Sequence, residues 1–275
     1  MVMDTSFEED VVQHIEGALT NLNRKVVQFP YQVSGRLGLR LWGKVIIQEE
    51  QFVDDIFPPN QNSLFDAGIS EKLADGKLIP KRKKRRQRIY KKWKEWSDWK
   101  RPEEVYGRDQ FCVFARVEAS DVTQGGLGNC YFLAALSALA ENPHRIKNLF
   151  HTKTVTESGA YAVKLFVNGE PMDIVVDDHF PFDTRPEKDC WFFSRDTSEN
   201  EIWVQILEKA YAKVFGSYEV IEGGKAYQAF ANLTGFPSDI LYHDEIEADS
   251  LWRMIQKGAR RDQPMVSAVN SIELG

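Results

Sequence analysis

Two residues near the middle of the chain have the types and spacing for acyl-transfer chemistry: Cys130 and, six positions before it, Gln124. The run Gln124-Gly125-Gly126-Leu127-Gly128-Asn129-Cys130-Tyr131 puts three glycines in four residues ahead of the thiol. Glycine tolerates backbone angles that other residues resist, so a sharp turn is expected there. Beyond it, Leu133, Ala134, Leu136 and Ala140 recur on one face of a helix predicted over 130–141, which Pro143 stops. A thiol at a helix N-terminus meets unpaired backbone N–H groups and the positive end of the macrodipole, and both favour the thiolate. The thiolate is the form that attacks a carbonyl carbon. The Gln124 amide can swing toward the same spot and donate to the developing oxyanion. Cys130 and Gln124 are thus candidates for the nucleophile and oxyanion donor of a cysteine hydrolase. The competing reading is an inert cysteine packed in an apolar helix.

The elements that must position these residues follow from periodicity. Residues 160–167 alternate in polarity and run into Asn168-Gly169, a strong hairpin signal, with 172–176 as the returning strand. Along 202–215, Trp203, Leu207, Ala210 and Val214 share one helical face, while Glu208, Lys209 and Lys213 are expected to be more exposed. The order is loop, helix, hairpin, long helix and loop-rich tail, an α+β arrangement. Further upstream, Phe7, Val11, Ile15, Ala18 and Leu22 predict an amphipathic helix over 6–24. Leu37, Leu39 and Leu41 predict a strand running into Val45-Ile46-Ile47. Residues 1–52 form an N-terminal region to which no chemistry attaches.

At 275 residues and 43% hydrophobic content, the chain can bury one large core or two modest ones. No apolar run reaches the length of a transmembrane helix. Asp4, Glu8, Glu9 and Asp10 at the start are unlike a signal peptide. Cys112, Cys130 and Cys190 are an odd number without metal-ligand spacing, so a reduced, cytoplasmic compartment is expected. No zinc pattern, phosphate-binding loop, dinucleotide fingerprint or EF-hand loop is present. The net charge of −6 conceals a basic run, Lys81 to Lys94, with ten Lys or Arg in fourteen residues, leading into Trp96 and Trp99. A solvated linker is one reading. An anionic partner such as nucleic acid or lipid, or an import receptor for nuclear entry, is the other.

Five collinear blocks carry a family resemblance. They are Trp99-Lys100-Arg101-Pro102, the Gln124–Tyr131 run, Val175-Val176-Asp177-Asp178-His179-Phe180-Pro181, the stretch from Asn200-Glu201-Ile202-Trp203 to Leu207-Glu208-Lys209-Ala210-Tyr211-Ala212-Lys213, and Gly216-Ser217-Tyr218-Glu219 with Gly223-Gly224. Over about 99–262 the chain resembles the calpains, calcium-dependent cysteine endopeptidases, with Asn129 and Tyr131 where the family has Asp and Trp. The resemblance implies the Cys-bearing, mainly helical first half of a papain-like protease core over 99–275, with 53–98 as lead-in and basic linker. The second half of such a core supplies a histidine base in Gly-His-Ala-Tyr and an orienting asparagine in Asn-Pro-Trp. His14, His144, His151, His179 and His243 lie in no such context, and the chain stops at Gly275, before that histidine is expected.

The resemblance also implies a calcium site: carboxylates of Asp121 and Glu201, and backbone carbonyls near Phe114 and Arg116. Hard oxygens from separate segments suit calcium. A turn cap for Asp121 and a capping box with Ser198 for Glu201 are the alternatives. Where the family has glycine this chain has Arg116, and where it has a nearby arginine this chain has Ala119. The implied activity is calcium-dependent intracellular proteolysis of polypeptide substrates. Its rival is a catalytically inactive calpain-like protein that serves as a calcium-responsive or scaffolding interaction module. A first half standing alone is expected to expose apolar surface at Tyr131 and Trp191.

Overall fold

The computed structural model describes residues 51–65, 91–188, 190–195 and 199–268. The expected helix at 6–24, the expected strand at 37–47 and residues 81–90 of the basic run lie outside them. In chain order the elements are α1 (Gln61–Leu64), β1 (Ser97–Lys100), α2 (Pro102–Tyr106), a 3-10 turn (Ala119–Asp121), α3 (Cys130–Ala140) and α4 (Pro143–Lys147). They continue with β2 (Ala160–Val167), β3 (Glu170–Asp177), β4 (Phe180–Asp183), β5 (Cys190–Trp191), α5 (Trp203–Phe215), α6 (Ala226–Thr234) and α7 (Ala248–Arg260). Residues 91–96 are also helical.

The hairpin expected at 168–169 is present. β2 and β3 pair antiparallel from Ala160 opposite Asp177 to Val167 opposite Glu170. Asn168 and Gly169 have φ of 54° and 84°, the two left-handed positions that a tight turn matched to strand twist requires. A second antiparallel sheet has the order β1-β4-β5. Helices with two small antiparallel sheets make this an α+β fold.

α3 ends where its sequence changes character. Asn142 accepts the His144 N–H through its side chain and Pro143 stands at the start of α4, so the two residues close one helix and open the next. Phe132, Leu133, Ala135, Leu136, Leu139 and Ala140 are buried, and Ala134 is only half-buried. The buried face is therefore broader than the expected stripe and rotated from it. The helix packs against α4, α6 and the 3-10 turn.

α5 departs furthest from expectation. Every residue from Trp203 to Ala212 is buried, including Glu208 and Lys209, which the one-sided pattern placed toward solvent. The pattern fails because these charges have internal partners. Lys209 Nζ donates to Asp177 Oδ1 at 2.6 Å and to the His179 carbonyl at 2.8 Å. Lys213 Nζ donates to Asp54 Oδ2 at 2.6 Å and to the Val175 carbonyl at 2.7 Å. Arg101 pairs with Asp178 and donates to the Phe52 carbonyl at 2.7 Å. Burial opposes the charge on Asp177, yet Lys209, His179 and the Asp54 N–H hold its carboxyl well below the usual range. Burial pushes Asp178 up to about 6 against the pull of Arg101. Three motif blocks far apart in sequence thus meet in one buried ionic network.

The core also draws on residues before β1. Phe57, Leu64, Phe65 and Trp93 are buried in it. Trp93 stacks on Phe65 and meets Phe193 edge-on at 4.9 Å. Trp191, expected to be exposed, is instead enclosed by Phe180, Phe182 and Tyr106, and its indole N–H donates to the Tyr106 hydroxyl at 2.6 Å. Enclosure is favoured because the indole finds both an apolar cage and an acceptor. Exposed apolar side chains gather later in the chain, at Phe236, Leu241, Trp252 and Ile255 among others. No helix of the described residues is long and apolar enough to cross a membrane.

Candidate active site

Cys130 is the first residue of α3 and is exposed, while the helix behind it is buried. Asn129 is the N-cap, and its carbonyl accepts the N–H groups of Phe132 at 2.9 Å and Leu133 at 3.2 Å. The turn leading to it is held by contact with the segment at 192–195. Thr123 and Arg195 exchange backbone hydrogen bonds of 3.0 and 3.1 Å, and Gly126 N donates to the Phe192 carbonyl at 2.7 Å. A Cβ on Gly125 would lie 1.9 Å from the Phe193 carbonyl oxygen, so only glycine fits. From the other side, Gly223 N donates to the Gly128 carbonyl at 2.9 Å, and a Cβ on Gly224 would lie 2.4 Å from the Tyr131 ring. Tyr131 is half-buried against this second loop, and burial raises its phenol above the usual value.

Beneath the turn sits a residue that helical periodicity assigned to solvent. Glu208 of α5 accepts from Asn129 Nδ2 at 2.7 Å and from the Ser194 N–H at 3.1 Å. Burial pushes its carboxyl up to about 7 despite both hydrogen bonds. The available sequence signal was the density of apolar residues from Ile202 to Tyr211, where only Gln205, Glu208 and Lys209 are polar, too few for a one-sided helix.

Gln124 lies in the same turn as Cys130, but its Nε2 donates to the Leu127 carbonyl at 2.6 Å, within its own loop. The histidines are placed elsewhere. His179 Nδ1 lies 3.1 Å from Asp177, and His151 Nε2 lies 2.6 Å from Asp173. His144 is in α4 and His243 in an exposed turn, while His14 is outside the described residues. Among the described residues, no histidine is hydrogen-bonded or ion-paired to Cys130.

The residues considered for calcium converge on one loop. Glu201 accepts from the Ala115 N–H and, at 2.7 Å, from Trp203 Nε1. Asp121 accepts from the Glu118 N–H at 2.6 Å, the turn cap expected as its alternative role. Glu201 precedes α5 rather than sitting in its first turn, which removes the capping box with Ser198 as its explanation. Both carboxylates are buried at opposite ends of the 114–121 loop, the loop whose Phe114 and Arg116 carbonyls complete the implied oxygen set. No group of three or more His, Cys, Asp or Glu that could hold a metal occurs among the described residues, so two carboxylates would depend on those carbonyls. A cleft of about 690 Å³, lined by Arg116, Glu118, Ser120, Glu141 and Lys147, opens at the far end of α3 from Cys130.

A glycine-crowded turn thus delivers an exposed cysteine to the start of a buried helix. Residues 52–273 match the family described as calpain family cysteine protease. The chain is 39% identical over 192 residues to the calpain-type cysteine protease ADL1 of Oryza sativa subsp. japonica, covering 68% of this chain and 8% of that protein. It is 38% identical over 145 residues to calpain-12 of Homo sapiens, covering 52% and 20%. It is 33% identical over 223 residues to the calpain-1 catalytic subunit of Rattus norvegicus, covering 80% and 28%. The chain belongs to the calpain family of cysteine proteases. It spans less than a third of the length of these relatives.

Proposed function

We propose that the chain is the Cys-bearing half of a papain-like catalytic core that cleaves polypeptides. The observation that carries the proposal is Cys130 itself, exposed at the first position of a buried helix and presented by a turn in which Gly125 admits no side chain. In the proposed reaction the Cys130 sulfur attacks the scissile carbonyl carbon, and the Gln124 amide leaves Leu127 to donate to the oxyanion. The C–N bond then breaks, and the departing nitrogen takes its proton from a histidine of the second half of the core, which had accepted it from the Cys130 thiol. Water releases the acyl group and regenerates the thiol.

Calcium is part of the proposal. The Asp121 and Glu201 carboxylates and the Phe114 and Arg116 carbonyls would hold it. The ion would offset two buried negative charges and tie the loop before α3 to the start of α5. Calcium should raise the melting temperature of the unaltered chain and leave that of Asp121→Asn unchanged; equal shifts in both would remove the site from 114–121. Cytoplasmic residence, and a role for the basic run in nuclear import or anion binding, complete the reading.

The experiment that tests the nucleophile is competitive alkylation. An epoxysuccinyl inhibitor or iodoacetamide at neutral pH should modify Cys130 faster than Cys112 and Cys190, and equal rates would sink the proposal. Residues 1–275 alone should hydrolyse casein no faster than Cys130→Ala, with or without calcium, because no described histidine meets the thiol. A non-catalytic scaffolding module is the second reading. It is favoured by the Gln124–Leu127 hydrogen bond, which occupies the oxyanion donor.

A further inference from the structure

The nucleophile's turn is held from two sides, and one side brings a carboxylate to it. The segment at 192–195 meets Gly125 and Gly126, and the loop at 216–224 meets Gly128 and Tyr131. The two glutamates of that loop have different surroundings. Glu219 is 3% exposed and its N–H donates to the Leu64 carbonyl at 3.0 Å, so it belongs to the interior. Glu222 is half-buried and lies over Gly128. A Cβ on Gly128 would stand 3.1 Å from Glu222 Cγ and 3.3 Å from Glu222 Oε1, so the absence of a side chain there is what admits the glutamate.

The backbone fixes this placement on both flanks. Glu222 N donates to the Glu219 carbonyl at 3.1 Å. Gly223, with φ of 78°, donates to the Gly128 carbonyl at 2.9 Å. Gly224 then abuts the ring of Tyr131, the residue after the thiol. The carboxylate therefore lies against a residue two positions before Cys130, on a loop that also touches the residue one position after it. Two Cα steps of about 3.8 Å separate Gly128 from Cys130 at most. A lysine or arginine on the residue whose carbonyl meets the sulfur spans that gap with its extended side chain. A carboxylate at such an edge attracts cations and repels anions.

We infer that Glu222 is a specificity-determining residue, favouring polypeptides with Lys or Arg at the residue whose carbonyl Cys130 attacks. The inference rests on the reading of Cys130 as the nucleophile and names the substrate class of that site. Its chemistry is an ion pair at the rim, which contributes a modest factor in rate rather than an absolute requirement. The same charge disfavours Asp or Glu at that residue.

The test uses two alkylating probes that differ only in a terminal ammonium, the N-acetyl chloromethyl ketones of lysine and norleucine. With each, the Cys130 thiolate displaces chloride and forms a thioether. In the full chain the lysine probe should modify Cys130 about fivefold faster than the norleucine probe, the scale of a partly exposed ion pair. Glu222→Gln should bring the two rates to within about twofold of each other. Both probes meet the same thiolate, so their ratio cancels any change in its ionisation. Cys112 is the internal reference, and its ratio should be the same in both chains. About 1 M salt, where the screening length falls to about 3 Å, should lower the ratio in the unaltered chain. If Glu222→Gln does not fold, the salt series decides. A ratio near one in the unaltered chain, or a high ratio that survives Glu222→Gln or salt, overturns the inference; selective modification of Cys130 by iodoacetamide would then leave the nucleophile in place. Equal iodoacetamide rates at all three cysteines remove the nucleophile and the specificity role together.

Discussion

Two buried carboxyls respond to pH in opposite senses. Asp177 lies below its usual range through Lys209 and its N–H donors, so its contribution is present above about pH 4 and is lost as pH falls below that. Glu208 is raised from 4.5 to about 7, so its contribution is complete below pH 4.5. As pH rises, the unfolded chain releases this proton first while the folded chain keeps it, and stability declines until the folded group ionises near pH 7. Glu208→Gln should flatten that decline. Between pH 5 and 7.5 the unaltered chain should lose on the order of 2 kcal/mol more than the variant in urea unfolding. Parallel curves would mean that Glu208 titrates as an ordinary glutamate. At this scale the sequence marks Cys130 and Gln124 as candidates, because glycines, amide and thiol are contiguous. It hid Glu208, whose partners at 129 and 194 come together only when the loops close over α5.

Among the elements, the hairpin and α3 were readable because their signals are local: a two-residue turn, an alternating run, a glycine turn before an apolar helix. α5 was readable in extent but not in environment. A helical wheel assumes one wet face, and α5 has none from Trp203 to Ala212. Its lysines belong to the interior, and losing one strands a charge. Lys209→Ala should destabilise the chain by about 3–5 kcal/mol, since Asp177 would remain buried without its cation. Adding Asp177→Asn should recover part of that loss. If both variants unfold at the same urea concentration, the ion pair contributes nothing beyond packing.

The boundary of the folded unit is a property of the whole molecule. In the sequence a charge run stands between the start of the lead-in and residue 99. The core nevertheless takes Phe57, Leu64, Phe65 and Trp93 from that lead-in, and the family match begins at residue 52. Residues 99–268 alone should therefore lack a cooperative thermal transition and near-ultraviolet ellipticity, while residues 51–268 should show both. A cooperative transition in the shorter chain would make the lead-in an accessory. Nothing local marks this dependence, since an aromatic residue's burial partner can lie a hundred positions away.

The bond from Lys213 to Asp54 spans 159 residues of sequence. On the ribosome that distance is a delay. At about 5–20 residues per second, Asp54 waits roughly ten to thirty seconds before its lysine has been synthesised. Throughout that interval the segment carrying Asp54 lacks the lysine it pairs with in the folded chain and cannot take its final place. A nascent chain that ends before α5 therefore carries the Asp54 carboxylate without the partner that the folded interior gives it.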